Sequence, residues 1–107
     1  MNPIDLIKEI LATYEKHGWR LRRVLLRSET RAGLSDESWA REASIETAEL
    51  DALWFSRGSQ QSREAWELRL ISATQYALFE TFEAEEPEAA RDEVRREMEA
   101  RMREKSK

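Results

Sequence analysis

A chain of 107 residues with no cysteine and 40% hydrophobic residues has room for one domain and one modest core, and for no disulfide, catalytic thiolate or cysteine-ligated metal. Charged residues reach 37%, and the formal charge of −4 argues against general affinity for nucleic acid or for anionic membranes. No apolar run has the length of a membrane span, and the opening MNPIDLIKEIL lacks the basic start of a secretory signal, so the expected location is the cytoplasm.

The first segment, NPIDLIKEILATYEKHG, reads as an amphipathic helix. Asn2 is its N-cap and Pro3 suits the first helical position. Ile4, Ile7, Leu11 and Tyr14 recur at helical spacing, Leu6 and Ile10 widen the stripe, and His17 with Gly18 ends it. Residues 19–29, WRLRRVLLRSE, suit a strand. Trp19 and Leu21 fall on one side and Val24 and Leu26 on the other, which implies a bulge, a twist or burial of both sides. An unbulged strand pairs Arg20 with Arg22 on one face and Arg23 with Arg27 on the other. Residues 30–50 are the least readable; Ala32 and Gly33 suggest a turn, and Ser35 suits the cap of a short helix carrying Trp39, Ala40 and Ala43.

DALWFSR and REAWELRLI, separated by GSQQS, predict a hairpin. Pairing Phe55 with Trp66 collects Leu53, Phe55, Trp66, Leu68 and Leu70 on one face. Ala52, Trp54, Ser56, Ala65, Glu67 and Arg69 then share the other, so the two tryptophans point apart. Residues 73–83, ATQYALFETFE, predict a third antiparallel strand with Phe79 on the side opposite Tyr76, Leu78 and Phe82. A final charged helix opens near Pro87, with a thin stripe of Ala90, Val94, Met98 and Met102. Asp92–Arg96, Glu97–Arg101 and Glu99–Arg103 are i,i+4 pairs along it.

The expected architecture is therefore α+β: an N-terminal helix packed on a three- to four-stranded, mainly antiparallel sheet, followed by a charged C-terminal helix. Residues 1–86 form the domain, and residues 87–107 are a helix that docks on it or dimerises.

No Ser–His–acid order, P-loop or GxGxxG is present. His17 is read as a helix-end residue, and the glutamates at 83–88 as a solvated helix start rather than a calcium loop, so no metal or cofactor is expected. The candidate binding residues are Trp54, Arg69, Glu67, Arg57, Arg20 and Arg22. Trp54 leads because small neighbours surround it and Arg69 is placed to stack on its ring. The ordinary explanation of Trp54 is that the final helix or the 30–50 segment covers it. The leading functional expectation is a non-enzymatic interaction module that forms a homodimer or binds a protein partner, through the sheet face or the C-terminal helix. A nucleic-acid or nucleotide binder using Arg20, Arg22 and an exposed tryptophan is the second reading, disfavoured by the acidic balance. An enzyme working with Glu67 and Arg69 is the third.

Overall fold

The structure is a computed structural model that describes residues 2–106. It is α+β: a five-stranded mixed sheet lies between an N-terminal helix on one face and a C-terminal helix on the other. Helix α1 (Pro3–Lys16) begins where Asn2 Oδ1 accepts the amide of Asp5 at 3.0 Å, and Pro3 follows the cap without sacrificing a bond. It ends at Gly18, whose φ of +85° turns the chain directly into β1 (Arg20–Leu26).

Strand β1 sits inside the sheet, whose order is β2-β1-β3-β4-β5. Its neighbours are the parallel β2 (Ser44–Thr47) and the antiparallel β3 (Ala52–Gly58). The register against β3 shifts between Leu21 and Arg23, so Arg22 is the bulged residue. The bulge gathers Arg22 and Arg23 on one face, where the regular alternation of an unbulged strand would separate them. Arg22 Nη1 donates to Ser56 Oγ at 3.0 Å, while Arg23 forks onto both carboxylate oxygens of Glu46 at 2.7 and 3.0 Å.

The segment after β1 forms a short helix α2 (Ser28–Ala32), a 3-10 turn carrying Trp39 (Ser38–Ala40), and β2. The helix expected around Trp39 is thus only a single turn, and β2 is an addition to the predicted sheet. Ile45 is the sole large apolar residue in SIET, so no alternation announces a strand there.

The hairpin of β3 and β4 (Glu64–Leu70) forms as expected, but one residue out of the predicted register. Ser56 pairs with Trp66 and Trp54 with Leu68, so Trp54 and Trp66 share a face. Their rings meet edge to face, 5.9 Å apart at 73°. The physical reason is that both faces of this sheet are covered. Apolar residues are demanded on each, and the alternation that normally selects one register no longer does so. The connection decides instead: Ser59 donates to the carbonyl of Arg63 at 2.9 Å, and Gln61 and Ser62 take φ of 60° and 62° to close the loop.

Strand β5 (Ala77–Phe82) adds antiparallel to β4 and forms one edge of the sheet. Helix α3 (Glu88–Lys105) then crosses the face that carries Trp54, inserting Met98 and Met102 with Val94 beside them; Ala90 stays exposed. Docking on the sheet is the arrangement observed for this helix. Of the three i,i+4 pairs expected along it, Asp92–Arg96 forms at 2.7 Å. Glu99 turns inward instead, accepting from Trp54 Nε1 at 2.8 Å and lying 3.5 Å from Arg23 Nη1. A buried indole donor with a guanidinium beside it holds this carboxylate better than an exposed arginine one turn away.

Candidate binding surface

Three of the six residues singled out from sequence lie away from any common site. Trp54 is 0% exposed beneath α3, so the ordinary explanation, coverage by the final helix, is the one observed, and the alternative of an exposed recognition residue falls. Its indole N–H is satisfied by Glu99, so nothing about it awaits a partner. Arg22 lies on the same face, with its guanidinium 5.1 Å from the centre of the Trp66 ring. Arg20 is at the rim of a cleft of about 670 Å³ between the end of α1 and the Trp39 turn, 3.6 Å from Glu42.

The other three, Arg57, Glu67 and Arg69, come together on the α1 face. All three have the same parity in the observed register, in which Leu53 pairs with Arg69, Phe55 with Glu67 and Arg57 with Ala65. Helix α1 lies over this face through Ile7, Ile10, Leu11 and Tyr14, leaving an open groove beside the last two turns of α1. One part, of about 450 Å³, is lined by Tyr14, His17, Trp19, Arg57 and Glu67 among others. A second part, of about 270 Å³, reaches Arg69 and shares Thr13, Tyr14 and Gln75 with the first.

Tyr14 organises the groove. Its ring stacks on Phe55 at 4.1 Å and 12° and meets Trp19 edge to face at 6.1 Å. Its hydroxyl donates to Glu67 Oε2. Burial pushes the Tyr14 phenol well above the ordinary tyrosine range, and the hydrogen bond to Glu67 and that carboxylate's charge raise it further. The Tyr14 phenol is thus held neutral and donates to Glu67. Arg57 lies over the Trp19 ring, 4.4 Å from its centre, and Nη1 donates to the carbonyl of His17 at 2.7 Å. That bond caps the open end of α1 with a cation, where the helix dipole favours one.

At the outer margin Phe79 approaches Trp19 edge to face, 6.3 Å away at 87°. It is 56% exposed, the one exposed large hydrophobic among the described residues. Phe79 pairs across the sheet with Glu67, so the groove and the β5 edge form one surface. The edge has open main-chain groups. The amide of Thr81 bonds to the Glu80 side chain at 3.1 Å rather than to β4, so it faces outward. Antiparallel alternation puts the N–H and C=O groups of Phe79 and Ala77 outward as well.

Tyr14, Trp19, Gln75 and Phe79 belong to this surface and were not among the sequence candidates. Tyr14 and Trp19 are indistinguishable from core residues in a periodicity pattern, since both also pack the interior. The off-pattern side of Phe79 in its strand was the one signal available. Among the described residues no group of three or more His, Asp or Glu side chains is placed to hold a metal ion, and no helix is long and apolar enough to cross a membrane. Comparisons with protein-family models, with curated proteins and with solved structures found no match for the chain.

Proposed function

We propose that this protein is a non-catalytic interaction module of the cytoplasm that assembles through the β5 edge of its sheet, with a second copy as the partner. The observation that carries this reading is Phe79, 56% exposed in the middle of a strand whose outer hydrogen-bonding groups are open. An apolar ring on an unprotected edge is a pairing site, because the edge offers both main-chain bonds and an apolar contact.

The edge is also self-complementary. A second copy laid antiparallel with Phe79 opposite its counterpart sets Thr81 against Ala77 and Leu78 against Glu80. The outward groups then bond in pairs, the two Phe79 rings meet, and no glutamate stands opposite another glutamate. The Glu80 side chain releases the Thr81 amide to a main-chain carbonyl in the process. The other edge, β2, has four residues and no exposed large hydrophobic, which makes it the poorer template. Both sheet faces are largely covered, by α1 and by α3, which favours the edge over a face as the assembly surface.

Sedimentation velocity over the micromolar range tests the proposal. The expected result is a dimer that Phe79→Ser and Thr81→Pro each convert to a monomer with unchanged circular dichroism. The proline removes an outward amide while leaving the bonds to β4 in place. A wild-type chain that remains monomeric throughout sinks the reading, as does a dimer indifferent to both substitutions.

A further inference from the structure

Two arginines are buried in this protein, and they meet the problem of a desolvated charge differently. Arg95 has the carboxylate of Glu88 and, at 3.7 Å, that of Asp92. Arg69 is 7% exposed, and its Nη1 donates to the main-chain carbonyl of Leu70. Among the described residues it has no ion pair and no other hydrogen bond. A guanidinium removed from water without a counter-charge is unfavourable, and the usual resolution is an anion.

The free donors of Arg69 have somewhere to point. The sole fully enclosed side-chain nitrogen or oxygen without a partner among the described residues is Nη1 of Arg95. The unbonded N–H groups of Arg69 therefore keep some contact with solvent, and Arg69 lines the small part of the groove. Glu67, two residues away on the same face of β4, already accepts the Tyr14 hydroxyl. Beyond Tyr14 and Gln75 the groove continues to the Trp19 ring.

We infer that Arg69 anchors a ligand-binding site for a carboxylate carried on a flat apolar group. The guanidinium fork accepts a carboxylate in a bidentate pair, and the rings of Tyr14 and Trp19 flank the path of the apolar part. A phosphate dianion is disfavoured, because Glu67 and Glu9 also line the groove and repel the second charge. The site lies within one chain and does not depend on assembly through β5.

Phenylacetate is a suitable probe for the intact protein. Titration is followed by the Nε–H resonances of arginine and the indole N–H resonances of tryptophan, with benzyl alcohol, phenethylamine and inorganic phosphate as comparisons. Saturable shifts at Arg69 and Trp19 are expected with phenylacetate alone, and a melting temperature that rises with its concentration. Arg69→Gln is expected to weaken binding by roughly tenfold or more, and Arg69→Lys to recover part of it, since lysine keeps the charge and loses the fork. The wild-type map decides the question even if Arg69→Gln folds poorly. The inference is overturned by no saturable shift with phenylacetate, by an equal response to benzyl alcohol, by binding of phosphate instead, or by affinity that survives Arg69→Gln.

Discussion

The two faces of the sheet are built from the same residue types and use them for opposite ends. On the α3 face every arginine drawn into the packing finds an acceptor in the same chain: Arg23 has Glu46 and Glu99, Arg91 has Glu64, and Arg95 has Glu88 and Asp92. Both of its tryptophans donate to a carboxylate, Trp54 to Glu99 and Trp66 to Glu64. On the α1 face Arg57 and Arg69 have main-chain carbonyls as their hydrogen-bond acceptors, and Glu67 has a tyrosine. The α3 face thus matches its buried guanidiniums with carboxylates of its own chain, even though Nη1 of Arg95 keeps no hydrogen-bond partner among the described residues. A face that leaves a buried cation unmatched next to an open groove is where a ligand improves the electrostatics.

The sharpest way to break this comparison is Trp54→Ala. If the α3 face is purely structural, losing its central ring leaves a cavity and strands Glu99 without its indole donor. A loss of about 3–5 kcal/mol is expected in urea unfolding, with no specific effect on assembly. A smaller effect is expected from Glu99→Gln, which keeps an acceptor for the indole but removes the charge facing Arg23. The expected loss is about 1–3 kcal/mol; a neutral outcome would mean that the network under α3 contributes little.

On the α1 face, Tyr14→Phe removes one hydrogen bond and is expected to cost about 1 kcal/mol at neutral pH. Because the folded phenol is raised above its unfolded value, its contribution is complete below the unfolded pKa of about 10 and is lost as the pH rises through the folded value. Stability measured at alkaline pH should therefore fall in the wild type, and the fall should be flatter in Tyr14→Phe. Equal slopes would remove Tyr14 as its source. The smallest effect belongs to Arg57→Ala, which loses an exposed cation over Trp19 and a helix-end bond, about 0.5–1 kcal/mol. A cost for Arg57 as large as that for Trp54 would erase the distinction between the faces.

Much of the fold was legible because local signals and burial agreed. Asn2, Pro3 and Gly18 mark the ends of α1, the GSQQS connection marks the hairpin, and Pro87 precedes α3, all from local backbone chemistry. Of the bulge, twist or two-sided burial left open by Trp19, Leu21, Val24 and Leu26, the structure has a bulge at Arg22. Part of the surface was legible too, since Glu67 and Arg69 share a face of β4 in any register; Arg57 joins them only through the one-residue slip of the hairpin. Trp54 led the candidates for a reason that failed. A large ring among small residues marks either a binding patch or the seat of a helix, and the sequence contains no measure of which.

By itself, then, the sequence determined the order of the elements and their local boundaries, because caps, turns and hydrophobic periods act over a few residues. Only the tertiary structure decided the rest. It slipped the hairpin by one residue, because two covering helices make both faces apolar and the loop at Ser59–Arg63 sets the register. It recruited SIET as a strand, because parallel pairing with β1 depends on contacts some twenty residues apart, such as Arg23 with Glu46. It also chose which arginines were neutralised, since charge matching depends on distance in space. That choice closed the face of Trp54 and left Arg69 open.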